Sequence, residues 1–377
     1  MHLKIEKKCK TVAFDSKNFN SEVLTSLHTD RVIALTKLPV ELQIAIRGLI
    51  DSGDNFFDHL HEYAKDEFPG TIEPKNVRGL FGPEKYPLLC NNGARFFVAM
   101  NKEGGINNEK MPNYENKPVM TDSARVFNRY TDVIIGRILE AIAHQLNIDT
   151  DRLKQAILGE AAIGLTRYYP ITQNRAAQLF RDNVLIVNGD DVEQFSKHRD
   201  VNPITILVYR GEPRGLLVED KASKSYVPLT VESAGEPYLL VFTGTTLKEL
   251  TNGHIRALKH QVMTTPEEQH EEAKKHSNEW RFTLGKFTYF NLEELEPLKT
   301  QDGKQINPPM PRKHQRHYPL PHGKFFMDHL ACETDIREKS KAKEFPEALA
   351  AKYPTDVTDK DIYVQQLGKD SIGAFRL

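Results

Sequence analysis

The chain has 377 residues, enough for one large domain or two small ones with ample core. Its 51 Lys and Arg against 52 Asp and Glu leave a formal charge of −1, which excludes the global basic field that draws a protein to nucleic acid or an anionic membrane. Cys9, Cys90 and Cys332 are odd in number, far apart and without CxxC spacing. That argues against a disulfide framework or zinc knot and makes a reducing, cytoplasmic setting the expectation.

The N-terminus MHLKIEKKCKTVAF lacks the apolar stretch of a secretory signal, and no window approaches a membrane span. GxxxxGK[ST], GxGxxG and GxSxG are absent, which disfavours P-loop, Rossmann and elbow-type hydrolase chemistry. In chain order, Lys10–Phe14 and Arg31–Lys37 read as short strands. Val40–His61 carries apolar residues at helical spacing, with Ser52-Gly53 expected to interrupt it. The stretch from Pro69 to Pro118 is rich in Gly, Pro and Asn and reads as irregular, a wall of a site or mobile. A long amphipathic helix is predicted from about Thr121 to Asn147, capped by Thr121, Asp122 or Ser123, and a short one over Asp151–Leu158.

Ala162–Pro170 reads as a strand closed by proline. After the turn signal Asn188–Asp191, short strands crowd together: Thr205–Tyr209, Gly215–Glu219, Tyr226–Leu229, Tyr238–Phe242, Ala257–Met263 and Arg281–Phe290. This spacing predicts a sandwich or jelly roll. Thr264–Glu279 interrupts the series as a charged, solvated helical insertion. Beyond Phe290, the basic, proline-rich Pro308–Pro321 and a small helix candidate at Glu344–Tyr353 suggest a tail that wraps or lids the core.

Phe195–Arg210, FSKHRDVNPITILVYR, is the stretch that carries chemistry. His198 and Asp200 stand two apart, so on an extended strand both point to one face, and the buried run ITILVY would hold them rigidly. With His260 as a third ligand from LKHQV, two imidazoles and one carboxylate with positions left open suit non-haem Fe(II) activating O2. HxD alone is a weak signal; His28-Thr29-Asp30 is a second copy, assigned to a helix-to-strand junction without a partner set.

The order of these pieces resembles the isopenicillin N synthase-like family of Fe(II)- and 2-oxoglutarate-dependent oxygenases. The matching residues are RYYP at 167–170, HRDVNPITIL at 198–207, GLLV at 215–218, the strand and turn at 241–247, LTNG at 250–253, LKHQV at 258–262 and RFT at 281–283. The resemblance covers residues 120 to 290 well, 10 to 70 weakly, and nothing beyond 291. It implies an α+β fold: a double-stranded β-helix (jelly-roll) core at 161–292, an N-terminal region at 1–160 whose helices pack on one sheet, and a C-terminal extension at 293–377.

The resemblance also implies Fe(II) on His198, Asp200 and His260, with 2-oxoglutarate as co-substrate held by Arg281, Thr283 and Tyr169. A small molecule would be oxidised by O2, most commonly hydroxylated, with release of succinate and CO2; no nucleic-acid or membrane partner is implied. Arg281 offers a guanidinium fork for a carboxylate, and Thr283, two along the strand, faces the same way. Against this stand ordinary structural roles. His260 would be a buried histidine, Arg281 a strand-edge arginine in an ion pair, Tyr169 core packing, and Arg167 either a substrate contact or a surface residue. An oxidase of this fold that needs no 2-oxoglutarate, and a silent binding protein, are the alternatives.

Overall fold

The computed structural model describes residues 6–60, 67–73, 76–81, 93–112, 119–174, 176, 186–188, 191–210, 213–220, 222–232, 237–251, 253–276, 279–289, 300, 302 and 352–354. The chain opens with strands β1 (Lys7–Cys9) and β2 (Thr11–Ala13), helix α1 (Phe19–Thr29), β3 (Val32–Thr36) and helix α2 (Val40–Asp58). Strands β4 (Thr71–Glu73), β5 (Asn76–Phe81) and β6 (Gly93–Met100) precede helices α3 (Val119–Leu146) and α4 (Thr150–Ile157). Next come β7 (Ala161–Tyr168), β8 (Ile186–Asn188), β9 (Asp191–His198), β10 (Ile204–Tyr209), β11 (Leu216–Glu219), β12 (Tyr226–Val231) and β13 (Leu239–Thr243). Helix α5 (Thr245–Leu250), β14 (His260–Thr264), helix α6 (Pro266–Ala273) and β15 (Phe282–Thr288) complete the described elements.

Two sheets result. One runs β2-β3-β13-β10-β15-β7-β6-β5-β4, the other β1-β12-β11-β14-β9-β8. Alternation along the strands explains the layering. On β10, Ile204, Ile206 and Val208 face a core shared with the helices, whereas Leu207 and Tyr209 face a second core between the sheets. Each fully buried aliphatic or aromatic side chain contributes about 1.5–3 kcal/mol, so both layers are held by many such terms. No helix among the described residues is long and apolar enough to cross a membrane.

The helix layer corrects several expectations. Ser52-Gly53 does not interrupt α2, which is continuous. A Cβ on Gly53 would lie 2.7 Å from both Leu165 and Phe282, so glycine is what lets this helix sit directly on β7 and β15. Helix α3 starts before the expected cap residues Thr121–Ser123, while the short helix is capped by Asp149, which accepts from the amides of Asp151 and Arg152. Helix α1, whose end was expected at the His28-Thr29-Asp30 junction but whose extent was not, buries Phe19, Val23 and Leu27 at a spacing of four. Strands β4 to β6 occupy part of the stretch expected to be irregular: GARFFVAM pairs along its length with β7.

Two buried ion pairs bolt the helices to the large sheet. Arg167, 1% exposed, donates to Asp54 at 2.6 Å and Asp58 at 2.8 Å on α2. It is therefore neither a substrate contact nor a surface residue. Lys286, fully buried, donates to Asp132 at 2.6 Å, Thr131 at 3.1 Å and the Asn128 carbonyl at 3.2 Å, filling the three-donor capacity of its ammonium on α3. Pro308–Pro321 and residues 344–351 of the expected tail helix lie outside the described residues. Tyr353 is buried, and the Lys352–Pro354 turn is held by Gln173, which donates to the Pro354 and Tyr353 carbonyls at 3.0 and 2.9 Å.

Candidate metal centre and anion pocket

β9 and β14 lie antiparallel with His198 directly opposite His260. Their rings stand 4.2 Å apart between centroids. Asp200 is not on the strand, as the two-residue spacing suggested, because β9 ends at His198 and the carboxylate comes from the loop that follows. That loop is pinned by the turn after β13. Thr245 donates its amide to the Asp200 carbonyl at 2.7 Å, and a Cβ on Gly244 would meet the Asn202 carbonyl at 1.9 Å. Only glycine admits that approach.

The three side chains converge. His198 Nε2 is 3.3 Å and His260 Nε2 is 3.7 Å from Asp200 Oδ1. One ligand atom from each lies within 4.8 Å of the others, the only such cluster of three found among the described residues. Metal bonds of about 2.0–2.2 Å place neighbouring donors about 3 Å apart, so this set fits one cation. Thr205 donates to the second oxygen of Asp200 and receives a hydrogen bond from Asn202 at 3.0 Å, which fixes the carboxylate's orientation. Burial opposes charge on Asp200, but the hydrogen bond from His198, the neighbouring imidazoles and Thr205 outweigh it and hold its pKa below the ordinary carboxylate range. Burial and the neighbouring His198 push His260 down to about 4, against the pull of Asp200, so its imidazole is neutral and available to a metal near neutral pH.

From this cluster the inter-sheet face of the large sheet extends in rows set by strand register. Thr205, Phe287 and Ala162 form the row beside the cluster; Leu207, Gly285, Gly164 and Phe97 form the next; Tyr209, Thr283, Thr166 and Arg95 form the third. Arg281 stands just beyond, immediately before β15. Its Nη1 donates to Gln194 at 2.8 Å, and its guanidinium lies 4.5 Å over the Tyr168 ring. Nε and Nη2 of Arg281 are buried with no hydrogen-bond partner among the described residues. A buried guanidinium with two free donors is costly unless an anion completes it.

A cavity of about 170 Å³ reaches Arg281, walled by Tyr168, Tyr169, Gln194, Thr264 and, from α6, Gln269 and Glu272. The insertion is thus not merely solvated. Gln269 is buried, accepts from the Ile171 amide at 2.6 Å and donates to Thr264 at 2.7 Å; Glu272 accepts from the Arg281 amide. Thr265 and Glu268 form a reciprocal cap at its start. Gly215 closes the turn into β11 at φ +75°, where a Cβ would lie 2.2 Å from the Met263 carbonyl and 3.2 Å from Arg281 Nη1.

The predicted residues divide accordingly. His198, Asp200 and His260 meet at one point; Arg281 and Thr283 lie at the other end of the same face. Tyr169 packs edge-on against Trp280 at 6.0 Å, on the cavity wall, and it is Tyr168 that lies under the guanidinium. Sequence reasoning missed Gln194, Thr205 and Tyr209. Gln194 lies four residues before His198 on the same strand, but β9 shifts register against β14 between them, so the spacing gave no signal of its place. The other HxD copy closes α1 as expected, with Asp30 paired to Lys7 at 3.1 Å.

No protein-family model matches the sequence, and no curated protein matches it. Solved structures do. A full-length Neurospora crassa protein in complex with alpha-KG and 5-formyluracil aligns at a TM-score of 0.58 and 17% identity, over 85% of this chain and 95% of that one. A Caulobacter crescentus protein assigned to the 2OG-Fe(II) oxygenases aligns at 0.57 and 19%, over 86% and 98%. JOX2 in complex with 2OG, Fe and JA aligns at 0.56 and 16%, over 83% and 85%. The chain therefore has the fold of the Fe(II)/2-oxoglutarate oxygenases.

Proposed function

We propose that this protein is a non-haem Fe(II)- and 2-oxoglutarate-dependent oxygenase that hydroxylates a small molecule, with the double-stranded β-helix core at 161–292 carrying the site and a cytoplasmic setting. The alternation of β7 and β9 to β15 between two facing sheets, broken only at the β11–β12 hairpin within the smaller one, supports the jelly-roll reading. The observation that carries the function is the pairing of two features on one inter-sheet face. One is a two-histidine, one-carboxylate cluster; the other is a buried arginine with two open donors. Thr205 and Tyr209 mark the ends of the interval, four residues or about 13 Å along β10. That length suits a five-carbon diacid bonded to a metal at one end and a guanidinium at the other.

When bound, Fe(II) and 2-oxoglutarate supply the oxidation: one 2-oxoglutarate, one O2 and one C–H substrate give succinate, CO2 and the hydroxylated product. The chain's own residues do the rest. His198, Asp200 and His260 would hold the cation on one side and leave the other open. Asn202 and Thr205 keep the carboxylate aimed. Arg281, steadied by Gln194 and Tyr168, would take the distal carboxylate of 2-oxoglutarate together with the Thr283 hydroxyl, with Tyr169 on the adjoining wall. The apolar core between the sheets keeps bulk water from the open side.

Anaerobic addition of Fe(II) and then 2-oxoglutarate to the purified chain is expected to give a visible charge-transfer band, and admission of O2 slow succinate release even without substrate. A protein that binds Fe(II) but neither binds nor consumes 2-oxoglutarate would overturn this reading in favour of an oxidase or a binding protein.

A further inference from the structure

We propose that Tyr353 is a positioning residue for 2-oxoglutarate: with Lys352 and Pro354 it straps α6 to the turn after β7 and so sets the walls around Arg281. This rests on the oxygenase reading above. The turn at 171–173 and helix α6 border the cavity that reaches Arg281 from two sides, since Tyr168 and Tyr169 lead into the turn while Gln269 and Glu272 project from the helix. One buried bond joins the two sides directly, the Ile171 amide donating to Gln269 at 2.6 Å.

Residues 352–354 lie across that seam and bond to both of its edges. Gln173 donates its backbone amide to the Pro354 carbonyl at 3.0 Å and its side-chain amide to the Tyr353 carbonyl at 2.9 Å, a contact that spans 180 residues of sequence. From α6, His270 Nε2 stands 3.0 Å from the Lys352 carbonyl. Three successive carbonyls are thus taken up by the two walls. Tyr353 anchors the arrangement: it is 1% exposed, and Pro354 beside it is buried as well. A ring of that size, once buried, resists sliding in a way that a surface turn does not.

The route from this strap to the guanidinium is short. Glu272 of α6 accepts the Arg281 amide with one carboxylate oxygen and is held by Lys275 at 2.8 Å on the other. Tyr168 donates its amide to the Arg281 carbonyl at 3.0 Å and lays its ring under the guanidinium. Arg281 therefore hangs between the two elements that residues 352–354 draw together, its amide on α6 and its carbonyl on β7. Displacing either wall turns the open Nε and Nη2, and a charge-assisted pair with a carboxylate depends on that direction. The metal cluster is insulated from this. His260 opens β14 whereas α6 follows the opposite end of that strand, and the Asp200 loop is fixed by the turn after β13.

The test uses the full chain loaded with Zn(II) in place of iron, with calorimetry of Zn(II) and of 2-oxoglutarate. Tyr353→Ala is expected to bind 2-oxoglutarate about five- to twentyfold more weakly than the parent chain, with Zn(II) affinity within about twofold. Tyr353→Phe, which keeps the buried ring, should stay within about twofold for both. Gln173→Ala, which removes one bond of the strap and leaves Tyr353 in place, should weaken 2-oxoglutarate about two- to fourfold, and it decides the matter if Tyr353→Ala fails to fold. In Tyr353→Ala, amide hydrogen exchange should quicken over 266–276 and keep the parental rate across β9. Parental 2-oxoglutarate affinity in the folded variants would overturn the proposal and leave Tyr353 a stability anchor only; an equal loss of Zn(II) would overturn it too. A parent chain that binds Zn(II) but no 2-oxoglutarate would sink the oxygenase reading instead, and unchanged exchange in α6 would then sink the strap on its own account.

Discussion

The two faces of the nine-stranded sheet handle charge in opposite ways. Towards the helices, Arg167 and Lys286 are neutralised: each buried cation meets a carboxylate and further acceptors, and the groups fasten α2 and α3. Towards the second sheet, His198, Asp200 and His260 share one point in space and Arg281 keeps two nitrogens open among the described residues. Burial is similar on both sides, so burial alone does not mark function. What marks it is where the unspent bonding capacity gathers: Arg167 also keeps its Nε without a partner among the described residues, but only Arg281 couples two open nitrogens to the wall of a cavity.

The contrast is broken most severely at the proposed metal ligands. Asp200→Ala or His260→Ala is expected to abolish stoichiometric Fe(II) binding, measured by metal content after gel filtration, without lowering the melting temperature of the metal-free protein by more than a few degrees. On the closed face the outcome should invert. Lys286→Ala strands Asp132, whose side chain is 26% exposed, and is expected to cost about 2–4 kcal/mol in urea unfolding while metal affinity in the surviving folded fraction stays unchanged. A stable Lys286→Ala protein with altered metal binding would erase the distinction.

Smaller effects sharpen it. Arg281→Gln is expected to raise the 2-oxoglutarate KM about 10- to 100-fold, the weight of a charge-assisted pair, with Fe(II) affinity intact. Gln194→Leu, which removes only the brace at Nη1, should raise that KM about three- to tenfold and leave kcat nearly untouched. The open face should also titrate. His260 is held neutral down to about 4, below its unfolded value of 6.5, so between those values the unfolded chain binds the extra proton. Metal-free protein should therefore lose stability as pH falls from 6.5 towards 4, a slope that His260→Gln flattens.

Much of this was legible in the sequence where the pattern was local. The strands from Ala161 to Thr288, the HxD pair and the distal histidine stand out because β-branched runs and fixed spacings survive without knowledge of neighbours. What escaped was relational. GARFFVAM was hidden among the Gly, Asn and Pro residues on either side, though its pairing with β7 makes it a strand. Arg167 and Lys286 look like any strand cations until α2 and α3 bring acids to them. Gln194 acquires a role only through Arg281, 87 residues away. That Tyr168 lies under the Arg281 guanidinium while Tyr169 lines the adjoining wall follows from where β7 ends, which adjacent tyrosines do not reveal.

Gly215 gives the open face an unusual vulnerability. Its left-handed backbone and its crowding by the Met263 carbonyl and the Arg281 nitrogen mean that a single methyl group there would wedge β11 from β14 and crowd the guanidinium at once. The hinge of an ordinary-looking turn is therefore a silencing point under the proposed function: a lesion at 215 is expected to weaken 2-oxoglutarate binding while metal binding at His198, Asp200 and His260 persists, leaving a loaded but idle protein.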